Sequence, residues 1–488
     1  MNYKVSEKVQ RKEKIKNKKE RKNEENPPKK KALIVTTVSG FVPQFEMNNV
    51  RILKEFGYEV HYASNFGMPA YGEDNQRLDG TGIIRHQIDF KRSPYRIFAA
   101  IKAYRQMKQL LQKHDFSLLH CHTPMGGAVA RLAAARVEGQ KWREKRRNGL
   151  KEDFGWDGTG KNPCRVIYTA HGFHFYKGAP LVNWMLYYPA ERFLAHWTDV
   201  LVTVNREDYN RAKKFHLRKW GKDWEKQATT GKNRSFRKQV FLINGIGIDV
   251  EKYSWDEKMR EAKRREFGVS DDVFLLLSVG ELTKRKNHQV VIRALKQLEG
   301  MGNRIEGRKV PGWKYLIAGK GAERKKLEKQ IQKSGLEGQV ILLGYRTDIG
   351  ELLAAADCFV FPSKQEGMPV ALMEALAAGV PSIAADIRGC RELLPKGALV
   401  KKNRAGEYCG MLCKAMNRAL YPVGFQYGAE ENRGSSTGGK PMDSMSVEKT
   451  KSSKNYENDE RLEEIEEVLK RISQGSVEQR MKKIYKSL

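Results

Sequence analysis

The sequence has no apolar run approaching the roughly 20 residues that a membrane-spanning helix needs. Nor does its lysine-rich start carry the apolar centre of a secretory leader, so the chain is expected in the cytoplasm. Cysteine is scarce. Cys121, Cys164, Cys358, Cys390, Cys409 and Cys413 form no C-x-x-C pair, which excludes the common zinc and dithiol motifs and predicts reduced, structural thiols. No self-similar period of about 20–50 residues is present, which excludes a solenoid. Acidic residues are few against basic ones, 58 to 91, and the net charge of +33 calls for an anionic partner: nucleic acid, an acidic membrane surface or a phosphorylated substrate.

The charge is uneven. Residues 1–31 hold 13 Lys or Arg against 5 Glu and almost no large apolar side chain, which predicts a disordered or loosely helical arm over 1–30, closed by Pro27 and Pro28. From Lys31 the pattern turns to short apolar runs alternating with helical periodicity, the signature of parallel sheets covered by helices, an α/β fold. A chain of 488 residues exceeds one core, since single cores stop growing near roughly 250–300 residues. The expected organisation is one domain over 31–250, a second over 251–475 and a C-terminal helix over 476–488 that returns to the first. Segments near 138–163, 216–238, 300–311 and 422–457 read as loop insertions, the last as disordered.

One passage concentrates the chemistry. The run from Phe359 reads as a buried strand ending at Pro362, Glu366 and Gly367 as a loop, and Pro369 as the first residue of a helix that continues from Val370. Free N–H groups at such a helix start favour phosphate oxygens, and Glu374, further along, suits paired sugar hydroxyls. A second candidate, Ser278 to His288, places Lys284, Arg285 and Lys286 at a strand end, where cations meet a diphosphate. Gly319 and Gly321, after the apolar run from Tyr315, permit close backbone approach. His171 stands where a strand meets its loop, and a neutral imidazole there hydrogen-bonds a hydroxyl or a phosphate. His120 and His122 alternate on another strand, and a Ser39-Gly40 turn closes the first.

The stretch from Glu366 to Glu374, with Gly-x-Pro inside it and Ala-Ala-Gly-Val-Pro at Ala377 to Pro381 after it, resembles the E-x7-E signature of the retaining glycosyltransferases of family 4. The resemblance covers about Lys31 to Asn403, and within the family it is to bacterial enzymes that build exopolysaccharide or capsule. It implies a GT-B fold, two Rossmann-like domains with a cleft between them. It places Glu366 at the donor sugar, Glu374 at the nucleotide ribose and His171 beside the reacting sugar. Lys286 matches a phosphate-binding lysine, and Arg285 substitutes for an arginine usual at the position of Glu281. Gly319 and Tyr345 fall in the nucleotide-base region, and Gly367, Met368, Pro369 and Val370 at the helix start facing the diphosphate. Gly40 falls in a small-residue loop near the donor phosphates, and His122 in the cleft with no metal.

No D-x-D triplet occurs, so neither a metal clamp nor any cofactor is expected, with the nucleotide-sugar as substrate. The expected reaction is retaining transfer from a UDP-sugar donor to a saccharide or undecaprenyl-diphosphate-linked acceptor. The aromatic stretch Phe173 to Trp197 and the basic, amphipathic Tyr95 to His114 suit such an acceptor or an anionic membrane at the inner face of the cell. A nucleotide-sugar epimerase of the same fold is one alternative reading. A nucleic-acid-binding protein is another, but the chain lacks the motif of any such module, so nucleic acid is not an expected partner.

Overall fold

The first strand, β1 (Lys31–Val38), is buried along all but its first residue, as a central parallel strand must be when helices cover both faces. It belongs to a seven-stranded sheet with β2 (Glu59–Asn65), β3 (Ile84–Gln87), β4 (Phe116–His122), β5 (Arg165–Ala170), β6 (Val200–Thr203) and β7 (Val240–Leu242), in the order β3-β2-β1-β4-β5-β6-β7. A second sheet has six strands: β8 (Phe274–Val279), β9 (Trp313–Ala318), β10 (Val340–Gly344), β11 (Cys358–Phe361), β12 (Ser382–Ala385) and β13 (Leu399–Val400). Its order is β10-β9-β8-β11-β12-β13, and the pairings in both sheets are parallel. Both orders reverse beside their first strand, at β1/β4 and β8/β11. Such switch points open a crevice at the carboxyl ends of the strands.

This is a computed structural model that describes residues 29–68, 75–93, 95–147, 164–218, 239–253, 256–301, 304–305, 308–309, 312–416 and 467–486. The basic arm up to residue 28 and the 422–457 insertion lie outside them, as do 148–163 and 219–238.

The covering helices are α1 (Met47–Glu55), α2 (Ile97–Lys113), α3 (Pro124–Arg147), α4 (Leu181–Ala195) and α5 (Arg206–Ala212) in the first half. In the second they are α6 (Glu257–Glu266), α7 (His288–Gly300), α8 (Arg324–Ser334), α9 (Ile349–Ala355), α10 (Val370–Ala377), α11 (Arg388–Arg391) and α12 (Ala405–Met416). Strand alternation builds a core on each face of a sheet: Leu275 and Leu277 of β8 enter one, Leu276 the other. The last helix, α13 (Gln474–Lys486), carries Val477, Met481 and Ile484 at helical spacing into a core of the first sheet with Ile34 and Ile52. Just before it, Val468, Leu469 and Ile472 pack in the second domain. The chain therefore crosses between domains near Ser473, where Ile248 and Ser473 form an isolated bridge.

Three local features depart from the sequence reading. The loop expected from residue 138 begins only after Arg147, because Glu138, Gln140 and the Lys/Arg residues beyond are good helix formers that extend α3. Residues 304–305 and 308–309 form a short antiparallel hairpin. A five-residue π-helical turn, Val42–Glu46, precedes α1.

Candidate active site

The loops that leave the two strands at the switch point of the second sheet, β8 and β11, are tied together. Lys364 N–H donates to Arg285 O at 2.8 Å and Asn287 Nδ2 to Pro362 O at 3.3 Å, which sets the cations after β8 against the loop after β11. The Glu366 carboxylate accepts from Arg285 Nη1 at 2.5 Å and Ser363 Oγ at 2.7 Å, and pairs with Lys286 Nζ at 2.9 Å. Burial alone would raise this carboxyl; Lys286, Arg285 and Ser363 outweigh it and hold it below its usual range. Lys286 also lies 4.8 Å from the centre of the Phe361 ring. Arg285 donates to Gln365 O at 3.1 Å and stands 4.0 Å from Glu281.

Gly367 is where the two domains touch. A Cβ on it would fall 1.8 Å from His171 O, and one on Gly172 would fall 2.9 Å from Gly367 Cα, so the two glycines allow backbone to meet backbone. Asn205 Nδ2 donates to Gly367 O at 3.2 Å from the first domain. Met368 packs against a core of each domain. Pro369, expected as the first helical residue, is instead the N-cap: its ψ of 110° is extended, and α10 starts at Val370. The first bond of the helical ladder runs from Met373 N–H to Pro369 O at 3.1 Å, so the N–H groups of Val370, Ala371 and Leu372 precede it.

Glu374 accepts from Tyr253 Oη at 2.8 Å. Burial pushes its carboxyl up, against Tyr253 and Lys252. Among the described residues no hydrogen bond or ion pair joins Glu374 to Glu366. Gly319 and Gly321 press on the loop after β8: a Cβ would fall 1.9 Å from Gly280 O at the first and 2.3 Å from Leu282 O at the second. Their need for glycine is therefore met within the protein. Gly319 N–H donates to Gly344 O at 2.6 Å, which leaves Tyr345 next in line, half exposed, with Lys320 Nζ 5.8 Å from its ring centre.

The first domain contributes His171 from the loop after β5. Its Nε2 is 3.0 Å from His122 Nδ1 and 3.4 Å from Glu46 Oε1, and His122 Nδ1 is 3.3 Å from the same oxygen. Gly40 is buried in the turn that delivers Phe41, whose ring meets His171 edge-on at 5.0 Å. Burial pushes His171 down to about 4 and Glu46 up to about 8, the latter opposed by the Asn49 amide. At neutral pH the His171 imidazole is thus uncharged, which leaves it hydrogen bonds and not charge to offer. His120 is structural, bonded to Tyr485 Oη and Thr169 Oγ1 at 2.8 Å each.

Sequence reasoning missed Glu46, Tyr253 and Arg388. Glu46 carried one faint signal, a lone acid among Phe45, Met47 and Val50, but only the π turn aims it at the histidines. Arg388 donates to Glu366 O at 3.2 Å, Asp208 Oδ1 at 2.5 Å and Phe173 O at 2.6 Å. Its partners are remote in the chain, and nothing in the local pattern announces them.

Residues 47–218 match the family model described as a glycosyl transferase 4-like domain, and residues 259–417 the one described as glycosyl transferases group 1. The chain is 33% identical over 371 residues to the putative glycosyltransferase EpsD of Bacillus subtilis, covering 75% of this chain and 82% of that protein. It is 27% identical over 318 residues to an Escherichia coli UDP-Gal:alpha-D-GlcNAc-diphosphoundecaprenol alpha-1,3-galactosyltransferase, covering 64% and 70%. Among solved structures, Anabaena Alr3699/HepE in complex with UDP and glucose superposes with a TM-score of 0.60 at 15% identity, over 94% of this chain and all of that one, which shows the same two-domain GT-B fold.

Proposed function

The chain belongs to the glycosyltransferases of these families, and on that premise we propose that it transfers a sugar from a UDP-sugar to a lipid-linked saccharide, with retention, in cell-surface polysaccharide synthesis. The observation that carries the reading is the cluster of Glu366, Lys286, Arg285 and Ser363 at the start of α10, closed over by His171 and Gly172 of the other domain. When the bond from the anomeric carbon to the diphosphate breaks, its electron pair leaves on phosphate oxygen. Lys286, Arg285 and the free N–H groups of α10 meet that charge, with neither metal nor cofactor in the step. Glu366 and the neutral His171 hold the donor sugar, and Glu374 holds the ribose. Gly40, Gly319, Tyr345 and Met368 shape the walls. The matched families and relatives are glycosyltransferases, which leaves the epimerase alternative without support.

A lipid-linked acceptor agrees with the diphosphoundecaprenol-linked acceptor for which the Escherichia coli relative is named. Among the described residues no helix is long and apolar enough to cross a membrane. A surface contact is instead offered by exposed apolar side chains, Ile97 and Phe98 on α2 and Leu181 and Met185 on α4, with Arg92, Arg96 and Arg105 exposed on or just before α2. Apolar side chains beside basic ones suit an anionic inner leaflet.

Melting the protein with UDP, GDP, ADP and their sugars tests the reading. UDP at about 100 times its Kd should stabilise by roughly 2.7 kcal/mol. Glu374→Ala should weaken UDP at least about tenfold, or roughly 1.4 kcal/mol. Indifference to every nucleotide, or an unchanged Glu374→Ala, sinks the donor site. The anomeric proton of the product, read by NMR, decides retention.

A further inference from the structure

We propose that Glu46, His122 and His171 bind a divalent transition-metal ion of the zinc type, and that the bound ion shuts off transfer by occupying Nε2 of His171. The second half rests on His171 contacting the donor sugar; the first half does not.

Three separate elements converge here: His122 from the end of β4, His171 from the loop after β5 and Glu46 from the end of the π turn. Their ligand atoms form a triangle with edges of 3.0, 3.3 and 3.4 Å. In a tetrahedral site with bonds near 2.0 Å, ligand atoms stand about 3.3 Å apart, so an ion just above the triangle reaches all three with little rearrangement. Hydrogen bonding uses the triangle less well. Each imidazole nitrogen offers a single N–H or a single lone pair, so it addresses one of its two neighbours and not both.

The donor set selects the ion. Two imidazoles and one carboxylate suit zinc and neighbouring first-row metals, whereas magnesium and calcium require oxygen shells. Three protein ligands leave a fourth position open. A small cavity lined by Phe45, Glu46, Asn49, His171, Ile246 and Met481 adjoins the triangle, and the His171 side chain is 23% exposed, which supplies a path. Glu46 and His122 are buried, so the ion would be held within the fold and not on its surface.

Cobalt(II) titrated into the full-length protein is the direct probe, because tetrahedral cobalt absorbs far more strongly in the visible than the hydrated ion. The expected result is one tetrahedral site that zinc displaces and that is lost in Glu46→Gln and in His122→Asn. Glu46→Gln preserves shape, and an unchanged melting temperature without metal shows that the variant folds. No visible band, or a band that survives both substitutions and disappears in His86→Asn, overturns the site; the latter would place cobalt at the His61–His86 pair on β2 and β3. Zinc should also inhibit transfer by the unsubstituted protein, with EDTA restoring it. Binding without inhibition confirms the site and overturns the sugar-contacting role of His171.

Discussion

Arg285 is shared by two carboxylates, Glu366 at 2.5 Å and Glu281 at 4.0 Å. With Lys286 the four charges cancel, so an arriving diphosphate meets little net attraction from this cluster. Glu366 is needed to orient the cations, but Glu281 only subtracts from them. Removing one negative charge several ångströms from a phosphate at a partly exposed site is worth on the order of 1 kcal/mol. Glu281→Gln should therefore tighten UDP binding by about fivefold in calorimetry at low salt, and the gain should shrink as ionic strength rises. Equal or weaker affinity would show that Glu281 itself holds part of the donor. At this scale the sequence was readable for placement, which shows in residue type and spacing: Glu366 in a loop, Glu374 on the helix after it and Lys286 in the loop after a strand. It was not readable for Glu46, whose role depends on the π turn, nor for Tyr253, which reaches Glu374 from a separate 3-10 turn, Glu251–Tyr253.

Among the elements, the loop between β11 and α10 matters most, because it belongs to the second sheet yet touches the first. Gly367 is its contact point, and the atom that a Cβ would strike, His171 O, is backbone with no flexible side chain to yield. Gly367→Ala should push the loop away from His171 while leaving Lys286, Arg285 and α10 in their own domain. The expected outcome is UDP affinity within about threefold of the parent and kcat lower by about a hundredfold, the cost of misplacing reacting groups by roughly 1 Å. An unchanged kcat would mean that closure of this loop on His171 is not needed for transfer. The glycines of Gly319 and Gly321 look similar in sequence but serve a different end, letting β9 and its turn lie against Gly280 and Leu282. A G-x-G in the sequence cannot distinguish a gap left for a ligand from a gap filled by the chain's own carbonyls.

For the molecule as a whole, the two domains are joined by more than the chain crossings near Ile248 and Ser473. Arg388 of the second domain is buried against Asp208 of the first, and Asp208 also accepts from Asn205 Nδ2 at 2.9 Å and Phe173 N–H at 3.1 Å. Burial raises the Asp208 carboxyl even with Arg388 beside it, so losing the cation leaves a charge that water cannot easily reach. Arg388→Ala should cost about 3–5 kcal/mol, the usual penalty for breaking one side of a buried pair. Calorimetry should show the loss, and small-angle scattering should show a larger radius of gyration as the domains part. A variant that melts and scatters like the parent would remove Arg388 from the account of domain pairing.

The sequence by itself determined the layered α/β architecture and the elements that carry Glu366, Glu374 and Lys286. These are written in local patterns: apolar runs, helical periodicity, turn residues and the spacing of charged side chains. Even the edge strand β3 escaped notice only because an edge buries one face at most, and Arg85, His86 and Gln87 are polar. Tertiary structure alone decided which groups meet: Gly367 against His171 and Arg388 against Asp208 across the cleft, and Glu46 with His122 and His171 within the first domain. Each of these contacts joins segments remote in sequence, and whether they meet depends on how elements pack within the first sheet's layer and how the two sheets are set against each other, which no local pattern encodes.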